Sequence, residues 1–230
     1  EELKSFLKTL QYPLISLDFE TIIPAIPIFD GTKPYQQIVT QFSMHVIKDI
    51  NEPPLHSEFL ADPYEDWTGR LAHKLVKACP SEGSVIVWNK AMEYNRIVEM
   101  AEMECNTDIK DELMSIADRI VDLMVPFRNR VVYNRLMQGS YSLKYVLPAL
   151  CPNRKDLSYS DLLINNGMLA SMAFTKMMDS KMSDIEIAST RHDLLTYCEL
   201  DTYGPLCILD VLLYLVGSST LNLKSQKHDN

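Results

Sequence analysis

Apolar and β-branched residues first gather in YPLISLDFE, from Tyr12 to Glu20, and again in QQIVTQFSMHVI, with the turn-forming Phe29-Asp30-Gly31 between the two runs. Runs of this kind bounded by turn residues predict neighbouring strands. Pro53-Pro54 interrupts the pattern, and His56 to Leu60 reads as a short third strand. From Tyr64 to Cys79 the period changes. Trp67, Leu71, Leu75 and Cys79 recur at every fourth position, the stripe of an amphipathic helix that Pro80 and Gly83 end. SVIVW, from Ser84 to Trp88, is a short apolar run between turn residues and predicts a buried strand. Helices are expected over about 92–103 and 109–124, the second because Leu113, Ile116, Ile120 and Leu123 advance by three- and four-residue steps. Arg130 to Tyr133 reads as a further strand, and Ser142 as the cap of a short helical turn that Pro148 limits. The polar stretch from Pro152 to Gly167 is expected to be loop, and the chain from Ser183 to about Val216 mostly helical. Strands followed by strands mixed with helices predict an α/β fold with a mixed central sheet flanked by helices. The expected boundaries are one domain over residues 1–217 and a polar, disordered tail over 218–230.

Composition narrows the class. The 230 residues are 47% hydrophobic, enough for a sizeable core, which excludes general disorder. No run approaches the roughly 20 apolar residues of a membrane-spanning helix, and the N-terminus lacks the layout of a signal peptide. A cytoplasmic protein with no membrane partner is expected. The chain opens on Glu1-Glu2 rather than methionine, so fusion to further domains in a longer polypeptide is also expected. Cys79, Cys105, Cys151, Cys198 and Cys207 are widely spaced and form no C-x-x-C pair, so they encode neither a disulfide framework nor a zinc site. A net charge of −9 argues against gripping duplex nucleic acid by broad phosphate neutralisation. A nuclease stays open, because catalytic carboxylates are themselves acidic and bound cations reverse the local sign. Arg119, Arg128, Arg130, Arg135, Lys144, Arg154 and Lys155 share a segment in which Asp122 is the only acid, and a surface for a nucleic-acid backbone is expected there.

Three groups of residues carry candidate chemistry. Asp18 and Glu20 lie two apart in the first predicted strand, which puts both on one face and Leu17 and Phe19 on the other. Two adjacent like charges must be solvated, protonated or matched by a cation, and a divalent metal is one solution. Tyr197 and Asp201 stand at i and i+4 in YCELDTYG, stacked on one helix face. Pro205 cannot donate to the carbonyl of Asp201, so a kink or loosening is expected just beyond it. In VWNKAMEYN a buried strand leads into a helix, with Glu93 four residues after Asn89, at the kind of strand end where α/β folds place ligands. Taken alone, each group reads better as ordinary: wet acids at a strand end, an exposed helical Asp near a Tyr, a first-turn acid favoured by the helix dipole.

Taken together and in this order, Asp18-Phe19-Glu20, Asn89 to Glu93 and Tyr197 to Asp201 resemble the three exonuclease motifs of the DEDD (DnaQ-like) superfamily, in its tyrosine-bearing branch. GSYSLKYVLPAL together with YCELDT further resembles a bacterial domain-of-unknown-function family assigned to that superfamily, over roughly Tyr12 to Leu213. The resemblance implies a ribonuclease H-like fold with a mixed five-stranded sheet. It also implies 3′-to-5′ exonuclease activity on single-stranded DNA or RNA 3′ ends, releasing nucleoside 5′-monophosphates. Asp18, Glu20 and Asp201 would then hold one Mg²⁺ or Mn²⁺, and Asp18 and Glu93 a second about 4 Å away. Tyr197, a poor base with a reference pKa of about 10, would orient the attacking water. Asn89 and Lys144 are candidate substrate contacts. One residue departs from the pattern: the superfamily carries Asp where this chain has Glu93, and the extra methylene alters a geometry that Mg²⁺ requires to be near octahedral. Asp122 is the reserve ligand. His192 stands too far upstream of Asp201 to match the histidine branch. Two rival readings are a hydrolytically weak or inactive nucleic-acid-binding or assembly module of a larger nuclease or repair protein, and a metal-dependent phosphodiesterase for small nucleotides.

Overall fold

The computed structural model describes residues 1–179 and 181–223. In chain order its elements are α1 (Glu2–Leu7), β1 (Leu14–Ile22), β2 (Ile38–Ile47), β3 (Leu55–Leu60), α2 (Thr68–Ala78), β4 (Ser84–Val87), α3 (Lys90–Ala101), α4 (Lys110–Asp118), β5 (Ile120–Asp122), α5 (Val125–Arg128), α6 (Leu143–Leu150), α7 (Gly167–Met177) and α8 (Asp184–Leu215), with short 3-10 turns between some of them. The strands form one five-stranded sheet in the order β3-β2-β1-β4-β5. β1 and β3 pair antiparallel with β2, and β4 and β5 continue parallel from β1, so β2 alone runs against the others.

The two sheet faces differ in chemistry. Leu17 and Phe19 of β1 and Phe42 and Met44 of β2 are buried, and Phe42 stacks on Phe59 of β3 at 6.2 Å. This face meets α2, whose stripe of Trp67, Leu71 and Leu75 is also buried. The Trp67 indole donates to the carbonyl of Val39 at 2.8 Å. The opposite face carries Ser16, Asp18 and Glu20 of β1 and Gln41, Ser43 and His45 of β2, and α8 lies across it. Burying a large apolar side chain contributes roughly 1.5–3 kcal/mol, against about 1 kcal/mol net for a hydrogen bond. The apolar face therefore supplies most of the stability, and the polar face supplies register.

Several sequence expectations are corrected. The helix predicted to run to residue 124 stops at Asp118, and Ile120–Asp122 extend to pair with Val85–Val87 as β5. Ile120 and Leu123 fit the helical period, yet both are buried from other elements. Arg130 to Tyr133 is not a strand; Arg130 takes a left-handed φ of 58°, which an extended run does not allow. α1 and α7 were not foreseen, and the expected loop from Pro152 to Gly167 contains two 3-10 turns, Lys155–Leu157 and Tyr159–Asp161. α8 runs on through Pro205 without a break. The expected tail is partly packed. Leu221 is buried and its amide donates to Asp210, Asn222 bonds to the backbone of Ile50 and Asn51, and the Tyr203 hydroxyl donates to the carbonyl of Leu223. Residues 224–230 lie outside the described residues. Among the described residues no helix is long and apolar enough to cross a membrane, and all five cysteines are free thiols.

Gly83 enters β4 at φ +87°, and a Cβ there would sit 2.0 Å from the carbonyl oxygen of Pro13. Both the backbone conformation and the crowding oppose a side chain. Gly83→Ala is expected to lower the unfolding free energy by about 2 kcal/mol or more. Urea unfolding measures this directly, and an unchanged midpoint would contradict the packing described here.

Candidate functional site

α8 is held over β1 by bonds that fix both its height and its rotation. Its N-terminus is closed by a capping box, in which Ser183 accepts from the amide of Glu186 and the Glu186 carboxylate accepts from the amide of Ser183. The Arg191 guanidinium then donates to the carbonyls of Leu60 and Ala61 at the end of β3. Further along, the Gln41 amide donates to the carbonyl of Leu194 at 3.0 Å, and the Ser16 hydroxyl donates to that of Thr202 at 2.7 Å. In this position Tyr197, Cys198 and Asp201 are turned toward β1.

One carboxylate oxygen from each of Asp18, Glu20 and Asp201 comes within 4.8 Å of the other two. Glu20 is buried, and Asp18 and Asp201 are partly buried. A register shift between Glu20 and Thr21 marks a β-bulge beside it, a device that re-aims side chains at sites. Gly167, the first residue of α7, lies against Glu20, whose Oε2 would be 3.6 Å from a Cβ placed there. The start of α7 thus presents its dipole to that carboxylate.

The electrostatics are those of crowded acids. Burial, and then the charges of Asp201, Glu93 and Glu20, raise Asp18 well above the usual carboxylate range, while a contact from the Cys198 thiol at 3.7 Å lowers it in part. Burial and Asp201 push Glu20 up to about 8, against the opposing charge of Lys144. Asp201 is raised by burial to about 6 only, because hydrogen bonds from Tyr159 and Tyr197 and the charge of Lys144 stabilise its anion. Burial and the neighbouring acids push both phenols up, so each is a donor and neither is a base.

Glu93, in the first turn of α3, stands outside the 4.8 Å group. It is 3% exposed, its Oε2 has no hydrogen-bond partner, and burial together with Asp122 and Asp201 pushes it up to about 8. Its charge is also felt by Asp18 and Glu20. The reserve candidate Asp122 ends β5 and is already engaged: it accepts from the amide of Met124 at 3.0 Å and pairs with Arg128 at 3.6 Å. Asn89 caps α3 at φ 151°, is exposed, and makes no side-chain capping bond. Lys144 sits over the rings of Tyr159 and Tyr197, at 5.5 and 5.7 Å from their centroids, and donates to the carbonyl of Asn165. His192 is exposed on α8.

Tyr159 is the residue that sequence reasoning missed. It is 8% exposed and its hydroxyl donates to Asp201. Leu157 and Tyr159 are both buried within an otherwise polar stretch, and that pairing was the available signal. The basic segment also separates. Lys144, Arg154 and Lys155 line a crevice of about 440 Å³ that includes Tyr159, Ser158 and Ser160. Arg119 is instead bound to the carbonyls of Pro80, Glu82 and Gly83 ahead of β4, at the other end of the sheet.

These features define an α/β domain with a crowded, mostly buried carboxylate cluster on a helix-covered sheet face, an all-oxygen donor set of the kind hard divalent cations take. The chain belongs to the DUF2779 family, a domain of unknown function, which it matches over residues 15–142. It is 28% identical over 215 residues to the uncharacterized protein UU173 of Ureaplasma parvum, covering 84% of this chain and 30% of that protein. It is 27% identical over 219 residues to the Mycoplasma pneumoniae homolog of MG366, covering 89% and 33%, and 27% identical over 231 residues to uncharacterized protein MG366 of Mycoplasma genitalium, covering 95% and 34%. The chain therefore spans about a third of the length of these curated relatives. No solved structure matches it.

The raised acids make stability depend on pH in a definite sense. Glu20 and Glu93 near 8 and Asp201 near 6 lie above their ordinary 4.5 and 3.8, so the folded chain holds protons that the unfolded chain releases. The resulting stabilisation is complete below the unfolded values and is lost as pH rises through about 6 to 8. In chelator, the urea midpoint is expected to fall between about pH 5 and pH 8, and Glu20→Gln is expected to flatten that fall. A midpoint that rises over this range would show that the cluster is not desolvated as described.

Proposed function

We propose that this chain is a metal-dependent 3′-to-5′ exonuclease domain with a ribonuclease H-like fold, acting on single-stranded nucleic-acid ends. The observation that carries the reading is the convergence of Asp18, Glu20 and Asp201, from β1 and α8, within 4.8 Å, with the orphaned carboxylate of Glu93 close enough to couple to them. These are the acids of the three motifs that resemble the DEDD superfamily, and the mixed sheet with β2 alone reversed is compatible with that fold. The donor set fits Mg²⁺ or Mn²⁺. Asp18, Glu20 and Asp201 would hold one ion, and Asp18 and Glu93 a second. When bound, such ions make hydroxide available near neutral pH and neutralise charge on a phosphoryl group.

The chain's own residues then have separate tasks. Tyr159 and Tyr197 hold the Asp201 carboxylate as an anion pointing into the cluster, the orienting role that partners of metal-ligating groups perform. By the resemblance, Tyr197 would also direct a water toward the reacting phosphate. Lys144, between the two rings, partly offsets the carboxylate charge. With Arg154 and Lys155 it lines the crevice that would receive a phosphodiester backbone. This reading limits the basic surface to that crevice, which agrees with a net charge of −9 and with an end-directed rather than a duplex-gripping enzyme.

The test is a Mn²⁺ titration with a labelled single-stranded oligonucleotide. Wild type is expected to shorten 3′ ends and release nucleoside 5′-monophosphates, and Asp18→Ala or Asp201→Ala to abolish this while leaving the unfolding transition cooperative. Wild-type-like activity in either variant would overturn the assignment. Binding without shortening would favour the inactive module, and turnover confined to dinucleotides the small-nucleotide phosphodiesterase. Tyr159→Phe is expected to lower Mn²⁺ affinity about 10- to 100-fold, read by isothermal titration; unchanged affinity would remove Tyr159 from the site.

A further inference from the structure

A second polar convergence lies on the same sheet face, toward its β3 edge. His45 of β2 and His56 of β3 stand directly opposite in register, with their rings stacked at 4.4 Å. Glu199 of α8 joins them, so that one ligand atom from each of the three residues lies within 4.8 Å of the others.

Hydrogen bonds decide where the imidazole protons sit. The Thr202 hydroxyl donates to the carbonyl of Glu199 at 3.0 Å. Its oxygen therefore accepts from its two other partners, Nδ1 of His45 at 2.8 Å and the Ser43 hydroxyl at 2.8 Å. Having donated its single proton to Thr202, Ser43 accepts from Nε2 of His56 at 3.0 Å. Nδ1 of His45 and Nε2 of His56 are thus protonated, and in the neutral form of each ring Nε2 of His45 and Nδ1 of His56 carry the lone pairs. Nδ1 of His56 then faces Oε1 of Glu199 at 4.0 Å, an acceptor opposite an acceptor. A cation between them resolves that opposition. Neutral imidazoles whose other nitrogen is held by a fixed oxygen are the form in which histidines ligate transition metals.

We propose that His45, His56 and Glu199 bind a divalent transition-metal ion, zinc foremost, in a three-ligand site that bridges α8 to β2 and β3. Two imidazoles and a carboxylate provide three of the four positions zinc takes, leaving one for water. The mixed nitrogen and oxygen set separates this site from the all-oxygen cluster around Asp18, since imidazole favours zinc, copper and nickel over magnesium. The entry side is open, with the side chains of His56 and Glu199 exposed by 23% and 40%. The site uses no cysteine, and it does not depend on the chain being a nuclease.

The test uses the whole chain, stripped with chelator and then titrated with Zn²⁺ or Co²⁺ in excess Mg²⁺, added to compete at the oxygen cluster. The expected result is one Zn²⁺ retained per chain by elemental analysis, and for Co²⁺ the intense visible bands of tetrahedral coordination. His56→Ala is expected to weaken Zn²⁺ binding by at least about 100-fold and Glu199→Gln by about 10-fold, while Asp18→Asn retains it. Glu199 is at the exposed rim, so its variant reports on the metal even if His56→Ala disturbs the β3 edge. Absence of bound Zn²⁺ under these conditions would overturn the proposal. So would uptake that Asp18→Asn abolishes and both His56→Ala and Glu199→Gln leave unchanged.

Discussion

The arrangement depends on one long helix, anchored by its own buried apolar residues, being set in place across a polar sheet face by directional hydrogen bonds. Ser16 donates to the carbonyl of Thr202 and Gln41 to that of Leu194, and Ser43 and His45 meet the Thr202 hydroxyl. An apolar contact of the same area would hold α8 down but would tolerate sliding and rotation, because hydrophobic attraction is non-directional. Hydrogen bonds to specific backbone carbonyls tolerate neither. Asp201 is delivered to the acids of β1 at a fixed height because its neighbour Thr202 is bonded on both its carbonyl and its hydroxyl.

That placement is costly in electrostatic terms, and the structure shows how the cost is distributed. Three carboxylates converge with a fourth nearby, and burial raises the proton affinity of all of them. Asp201 is raised least, since it alone receives hydrogen bonds from two phenols. The stabilising groups come from α6, from the 3-10 turn at Tyr159 and from α8 itself. The start of α7 adds its dipole at Glu20. A cluster built only for stability would be better replaced by apolar residues of similar size. Its burial together with dedicated donors to Asp201 is what separates it from a chance grouping of surface acids.

The sequence disclosed the strands and the acids better than it disclosed their support. Period-two placement put Asp18 and Glu20 on one face, and period-four placement put Tyr197 with Asp201, because both patterns follow from local backbone geometry. The run SVIVW was legible as a buried strand for the same reason. β5 was not: three residues carry too little pattern to break a helical period that continued through Ile120 and Leu123. Tyr159 and α7 were hidden because their roles are set by residues far along the chain, Asp201 and Glu20, and no local rule relates them. His45 and His56 were unread for a similar reason, being eleven positions apart in sequence and opposed only once β2 and β3 pair.

The two polar centres share α8, and their separation follows from how a helix crosses strands. Glu199 and Asp201 are two residues apart, about 200° around the helix axis, so they occupy opposite flanks. One flank overhangs β1 and the other β3, while Cys198 and Thr202 look down onto the sheet between them. Asp201 therefore joins only the oxygen donors of β1, and Glu199 only the imidazoles of β2 and β3. Any movement of α8 along its axis would disturb both groups in the same step. An ion on the histidine flank would thus act on the carboxylate flank by limiting how far the helix can shift, with no side chain common to the two coordination sets.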